Sequence, residues 1–244
     1  LVITEIDDLF IEILSFQPLI ELLRNQCVCQ RWKKFATIAI DNKTTDGGRK
    51  KKFQEKAELL LTVGRYMRRG SNNPIEVEWI AKTYGWPIGK WDVSQIQDFS
   101  SIFSNQSRFN DDINEWDTSN AVNMAGMFYQ ATSFNRSITS WDTSRVRDME
   151  WMFEGAVSFN TNISEWDTSQ VTNMQQMFYE AASFNQKIST WDISNVEHTT
   201  LMFKDAKAFN QDVSSWNTSK VIHNFQMFCG AVSFEIDFLP KFND

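Results

Sequence analysis

The side chains able to do chemistry in this 244-residue chain are few, and they recur at a fixed interval. Its two histidines, His198 and His223, stand 25 residues apart, with no Ser or Cys set near either as a nucleophile–base arrangement requires. Cys27, Cys29 and Cys229 cannot make a disulfide scaffold, and no pair of them has the spacing of a zinc site. Repeated Asp92, Asp117, Asp142, Asp167 and Asp192 raise the question of calcium. Calcium-binding β-rolls, however, need a nonapeptide period and glycine-rich turns, and neither is present. Carboxylate pairs such as Asp111–Asp112 suit solvated positions, and no glycine-rich phosphate loop occurs. The expectation is a chain that is not an enzyme and uses no cofactor and no metal.

What positions these residues is a repeat. Trp91, Trp116, Trp141, Trp166, Trp191 and Trp216 lie 25 residues apart, and so do Phe103, Phe128, Phe153, Phe178, Phe203 and Phe228. A third series, Phe109, Phe134, Phe159, Phe184, Phe209 and Phe234, keeps the interval without one insertion. A period of this length marks an array in which each unit leans on its neighbours. Within one copy, Val146, Met149, Met152, Phe153, Ala156 and Phe159 follow the spacing of a short helix with one buried stripe. The segment after it, 161–165, reads as a short strand, pairing with 111–115, 136–140, 186–190 and 211–215 into a parallel ribbon.

The polar fixed points read as scaffolding. Asn110, Asn135, Asn160, Asn185 and Asn210 form a column that ends at Glu235. Buried amides there would accept from one repeat's backbone and donate to another's. The Asp column, with Ser94, Ser119, Ser144, Ser169, Ser194 and Ser219, reads as turn and helix caps. If Ile113, Ile138, Ile163, Ile188 and Val213 point inward, period-2 alternation puts their neighbours on the open ribbon face. Asp112, Asn114, Thr139, Asn162, Ser164, Lys187, Ser189 and Asp212 are therefore the candidate ligand face.

Composition bounds the partners. The chain is 42% apolar and 14% aromatic, ample for a core. Residues 1–90 hold 15 Lys/Arg against 11 Asp/Glu, and residues 91–244 hold 9 against 20. An acidic array argues against sequence-independent nucleic-acid binding. No apolar run approaches the length that spans a bilayer, so no membrane partner is expected. Few cysteines favour a reducing, intracellular compartment, cytoplasmic or nuclear. Five Asn-x-Ser/Thr triplets, at Asn42, Asn105, Asn135, Asn162 and Asn217, would matter in a secretory pathway.

Ahead of the repeats, residues 6–36 read as three short amphipathic helices. Leu9, Phe10, Ile13 and Leu14 share a face of the first, Leu19, Leu22 and Leu23 follow Pro18, and Val28, Trp32 and Phe35 mark the third. Asp8-Leu9-Phe10-Ile11-Glu12-Ile13-Leu14, then Pro18-Leu19, then Val28-Cys29-Gln30-Arg31-Trp32 resembles the F-box family, although Glu5-Ile6 stands where that family usually has Leu-Pro. The resemblance implies docking onto a Skp-type adaptor of a cullin ligase through Leu9, Phe10, Ile13, Leu14, Leu19, Leu22, Val28, Cys29 and Trp32. Helices are also expected over 53–69 and 75–84, in a segment that caps the first repeat.

The repeats, with Trp166-Asp167-Thr168-Ser169-Gln170-Val171 and Met177-Phe178, resemble the BspA-like leucine-rich repeats, which are binding arrays without catalytic activity. The expected fold is α+β: an F-box-like helical module over 1–40, linker helices over 41–90, and over 91–244 a leucine-rich-repeat-like solenoid of short parallel strands and short helices. The expected function is substrate recognition for an SCF-type ubiquitin ligase, the solenoid gripping an unknown protein substrate. The alternative is a structural or adhesive BspA-like surface repeat protein.

Overall fold

A computed structural model describes residues 50–68 and 74–242. The F-box-like module expected over residues 6–36 lies outside the described residues, and no three-helix module occurs among them.

Two α-helices precede the repeats: α1, Lys56–Met67, and α2, Pro74–Thr83. Leu59, Val63 and Tyr66 keep the i, i+4, i+7 spacing that puts them on one buried face of α1. Glu58 in its first turn and Arg65 in its last complement the helix dipole. Val77, Ile80 and Ala81 are the buried stripe of α2. The two helices form a lid on the first repeat. The ring of Phe53 stacks on Tyr84 at 4.2 Å and packs against Trp91 at 5.3 Å. Phe53 N donates to Asp92 O at 3.0 Å, and Trp91 Nε1 donates to Gly85 O at 3.1 Å. The ammonium of Lys56 donates to the Asp98 carboxylate and to the Ser100 hydroxyl.

From Trp91 onward the chain corrects the expected architecture. The residues of the repeats contain no strand and no α-helix among those described; apart from one short 3-10 turn, Ile236–Phe238, they are turns and loops. The leucine-rich-repeat-like solenoid of short parallel strands and short helices is therefore not what the sequence builds, and neither is an α+β layer structure. Segments 111–115, 136–140, 161–165, 186–190 and 211–215 are loops running into tight turns, such as the one closed by Trp166 N donating to Ile163 O at 3.2 Å. Parallel pairing exists elsewhere, as single bridges joining Asp98, Asn123, Asp148, Asn173, His198 and His223.

The physical reason lies in the backbone of the segment expected to be helical. Each copy holds two residues at positive φ, four apart: Ser101 and Asn105, Gly126 and Gln130, Trp151 and Gly155, Gln176 and Glu180, Leu201 and Asp205, Gln226 and Gly230. A right-handed helix cannot pass through such residues. They rotate alternate peptides so that their N–H groups leave the chain sideways, and the next copy accepts them. Met149, Trp151, Phe153 and Gly155 donate to Asn173, Gln175, Met177 and Tyr179 O at 2.8–2.9 Å. The preceding copy does the same to this one: Met124, Gly126, Phe128 and Gln130 donate to Asp148, Glu150, Met152 and Glu154 O. Between these, i→i−3 bonds such as Met152 N to Met149 O close the turns. The result is a stack of turn-built coils, one per copy, joined by a four-rung ladder at every interface.

Side chains fill the coils in columns. Inside each coil two Phe rings stack, as Phe153 and Phe159 do at 3.8 Å, and between coils the rings of the first column stack at 5.4–5.7 Å. In the 25-residue Trp column, Trp116, Trp141, Trp166, Trp191 and Trp216 each donate the indole N–H to the carbonyl of an Ile 28 residues earlier, so the large polar ring is buried without an orphaned N–H. Thr118, Thr143 and Thr168 donate their hydroxyls to Asp142, Asp167 and Asp192 O in the following coil. The Asn column bridges coils as a ladder: the side-chain oxygens of Asn110, Asn135, Asn160, Asn185 and Asn210 accept from the backbone N–H 25 residues on, ending at Glu235. These amides are exposed or half-buried, not buried as expected. The Asp–Ser pairs cap turns, as where Ser144 N donates to Asp142 Oδ1 at 2.9 Å, and no helix follows them.

The two kinds of fixed residue should therefore differ in weight. Phe153→Ala empties a fully buried site in both ring stacks and is expected to cost about 3–5 kcal/mol. Asn160→Ala frees an N–H that water can reach and is expected to cost no more than about 1 kcal/mol. Urea denaturation of the two variants measures both.

Candidate functional site

The sequence-predicted ligand face sits on the loop side of each coil. Asp112, Thr139, Asn162, Lys187 and Asp212 are exposed, and Asn114, Ser164 and Ser189 are half-buried. Their polar atoms are largely engaged in building the turn they occupy. Asp112 Oδ1 accepts from Asn114 N, Asn162 Oδ1 from Ser164 N and Asp212 Oδ1 from Ser214 N, each at 2.9 Å. A shallow depression along this row, lined by Thr139, Asn162, Ile163, Glu165 and Trp166, is too small for a ligand side chain. The adaptor-binding residues Leu9, Phe10, Ile13, Leu14, Leu19, Leu22, Val28, Cys29 and Trp32 lie outside the described residues.

The surface built over the peptide ladder has a different character. There the residues between the buried Met and Phe columns vary from copy to copy, and their side chains meet across coils. Trp151, 40% exposed, donates its indole N–H to Gln176 Oε1 at 3.1 Å. The Gln176 amide in turn donates to Glu154 Oε2 at 3.2 Å. One coil further, the ammonium of Lys204 sits over the Tyr179 ring, 5.4 Å from its centre. Glu150 accepts from Gln175 Nε2 at 2.9 Å and from Asn173 Nδ2 at 3.3 Å. An exposed Trp, a half-buried Tyr on either side of it in the stack (Tyr129 and Tyr179), and a nearly buried carboxyl make a surface of the composition found at binding hot spots. Sequence reasoning passed it over because it assigned this segment to a helix with one buried stripe. The usable signal was variability: repeat positions represented by Glu150, Trp151 and Glu154 change type in nearly every copy while the adjoining Phe153 position does not.

The electrostatics of this surface are acidic and partly dry. Burial first, and the nearby Glu180 carboxylate second, push the Glu154 carboxyl up to about 7. Burial, with Asp148 adding to it, raises Glu150 as well. The Tyr179 phenol is held above its ordinary value by its hydrogen bond to Glu180 and by the surrounding carboxylates. Elsewhere the turn-capping Asp142, Asp192 and Asp212 are lowered, first by the hydrogen bond from the Ser two residues on. His198 and His223 occupy the bridge column, not a helix, and their rings stack at 4.9 Å. Among the described residues no group of three His, Cys, Asp or Glu is gathered as a metal site would need. Nor, among them, is any helix long and apolar enough to cross a membrane.

A carboxyl whose folded pKa lies above its unfolded value disfavours the folded state once it ionises. At Glu154 that cost is absent below about pH 4.5 and grows until the pH has passed about 7. Glu154→Gln, which keeps the shape and removes the charge, is therefore expected to raise stability at pH 8 by roughly 1–3 kcal/mol and to change it little at pH 4. Denaturation midpoints at the two pH values test this.

One family model matches the chain, over residues 78–178 and again over 134–242, and its description is "Mycoplasma protein of unknown function, DUF285". No curated protein and no solved structure matches. The match begins within the lid helix α2 and takes in every coil, which supports the repeat half of the resemblance drawn from the sequence and carries nothing for residues 6–36. On that coverage, the chain belongs to the DUF285 family of Mycoplasma-type proteins.

Proposed function

We propose that this protein is a non-catalytic, BspA-like surface repeat protein of the structural or adhesive kind, and that it binds a protein partner through the variable face above the peptide ladder. The observation that carries the reading is the division of labour within each coil. The recurring Trp, Phe, Met, Thr and Asn residues are consumed in holding one coil to the next, while Tyr129, Trp151, Gln176 and Tyr179 are free to differ and lie at the surface, above the nearly buried Glu154. A rigid array with a copy-by-copy variable surface suits recognition by shape, and the half-exposed Trp151 indole, with Tyr129 and Tyr179 in the adjoining coils, is its natural anchor. The family match favours this reading over a ubiquitin-ligase adaptor, since nothing in the match supports an F-box at the N-terminus.

The test is affinity capture with the full chain as bait, followed by crosslinking and mass spectrometry. A bait carrying Trp151→Ala and Tyr179→Ala is expected to lose at least about ten-fold of the captured partner, because hot-spot aromatics carry a few kcal/mol each. A bait carrying Lys187→Ala and Ser189→Ala on the turn row should keep it. Capture of a Skp-type adaptor that is lost on Leu14→Asp would instead sink the surface-protein reading and restore the ligase one.

A further inference from the structure

The rungs of the ladder all point one way. The peptide between Asp148 and Met149 receives a hydrogen bond at its carbonyl from the preceding coil and gives one from its N–H to the following coil. The peptides at 150–151, 152–153 and 154–155 do the same, and so do their counterparts in the neighbouring coils, at 2.7–3.0 Å throughout the five joins. The stack therefore has a carbonyl rim at its N-terminal end and an N–H rim at its C-terminal end.

The two rims are finished differently. Under the carbonyl rim of Asp98, Ser100, Ile102 and Ser104, the apolar Phe99, Ile102 and Phe103 are wholly buried, because α1 and the Phe53–Tyr84–Trp91 cluster lie on the first coil. At the other end, residues 235–242 cover only one half of the last coil. Val213 N donates to Phe238 O at 3.3 Å, the Thr218 hydroxyl donates to Lys241 O, and Phe238 meets Phe234 edge-on. The ladder half stays open. The N–H groups of Asn224, Gln226, Phe228 and Gly230, which occupy the donor positions of every earlier coil, have no acceptor among the described residues. Beside them Ile222 and Phe225 are 67% and 68% exposed, and Phe228 and Phe234 are only half-buried.

We propose that this rim is a docking edge for an extended segment of another polypeptide, which adds to the stack as one more ladder segment. The occupant runs parallel to residues 222–230, presents four main-chain carbonyls on alternate peptides, and sets apolar side chains against Ile222 and Phe225. Continuity with the five existing joins fixes this chemistry: what covers each earlier row of donors is a segment of that kind, 24 residues on. Main-chain addition to an unfilled edge is a general mode of peptide capture. A second copy of this chain does not meet the requirement. Rim against rim would set donors against donors, and among the described residues the acceptor rim of the ladder lies beneath α1. The apolar flank argues for a polypeptide over a small anion. This edge is separate from the variable face around Trp151, so the two readings stand or fall apart.

The test is residue-resolved hydrogen exchange on the full chain, alone and with a synthetic peptide of residues 168–182, TSQVTNMQQMFYEAA, which carries the carbonyls of Asn173, Gln175, Met177 and Tyr179 that fill the same row three coils earlier. In the free chain the amides of Asn224, Gln226, Phe228 and Gly230 are expected to exchange at least roughly a hundred-fold faster than those of Thr199, Leu201, Phe203 and Asp205. The peptide slows the four rim amides about ten-fold or more, a scrambled peptide does not, and the double variant Ile222→Asp, Phe225→Asp, altered only at exposed sites, weakens binding at least about ten-fold with an unchanged circular dichroism spectrum. Rim amides already protected in dilute free chain, protection that grows with protein concentration alone, no slowing at millimolar peptide, or equal slowing in the double variant would each overturn the proposal.

Discussion

Everything in this protein hangs on backbone hydrogen bonds made between residues 24 apart. A coil of 25 residues has no strand and no helix with which to satisfy its own peptides, and the i→i−3 bonds of its turns use only part of them. The rest find partners only in the adjacent coil. Burying the Trp and Phe columns is possible because this ladder holds the coils at a spacing where rings stack and indoles reach carbonyls. A single copy would lose both contributions together, which is why such units occur in series.

The same constraint explains the cost the chain accepts. Among the described residues, nine other than glycine sit at positive φ, Trp151 and Leu201 included, where the left-handed conformation is unfavourable by about 1–2 kcal/mol each. They persist because the ladder overdetermines them: each such residue, down to the fifth coil, donates its N–H to the next coil. Where a side chain would crowd the neighbour, glycine stands instead. At Gly155 a Cβ would lie 2.2 Å from the Gln130 amide, and at Gly230 it would lie 2.1 Å from the Asp205 carboxylate.

Because the rungs are aligned, their dipoles add along the stack as they do along a helix. This gives the array a polarity that a conventional sheet lacks, and it makes the two ends chemically unlike. The N-terminal end is closed by the two helices, where Lys52, ahead of α1, and Lys56, at its start, pair with Asp92 and Asp98 of the first coil. The C-terminal end thins out its apolar columns, with Asn224 exposed in the position that buries Met149 and Met174 in the middle coils. Between these ends lies the variable surface, made of side chains whose backbones form the rungs of the ladder.

Much of this was legible in one dimension. The 25-residue interval of Trp and Phe established the number of copies and their in-register stacking, since identical side chains stack only if the units do. The Asn column, which stops at Glu235, announced its bridging role. Residues 56–67 and 74–83 carried the helical period and formed helices. What the sequence could not decide was the conformation inside a copy. Spacing of 3, 3, 1, 3 and 3 among the apolar residues fits a helix as well as it fits turns of three, and nothing in Trp151 or Leu201 betrays a positive φ, which only the partner coil imposes. The site followed the same rule. Reading Ile163 as a strand residue sent attention to Asn162 and Ser164, which turned out to cap their own turn, whereas Trp151, Gln176 and Glu154 come together only because stacking sets residues of adjoining coils side by side.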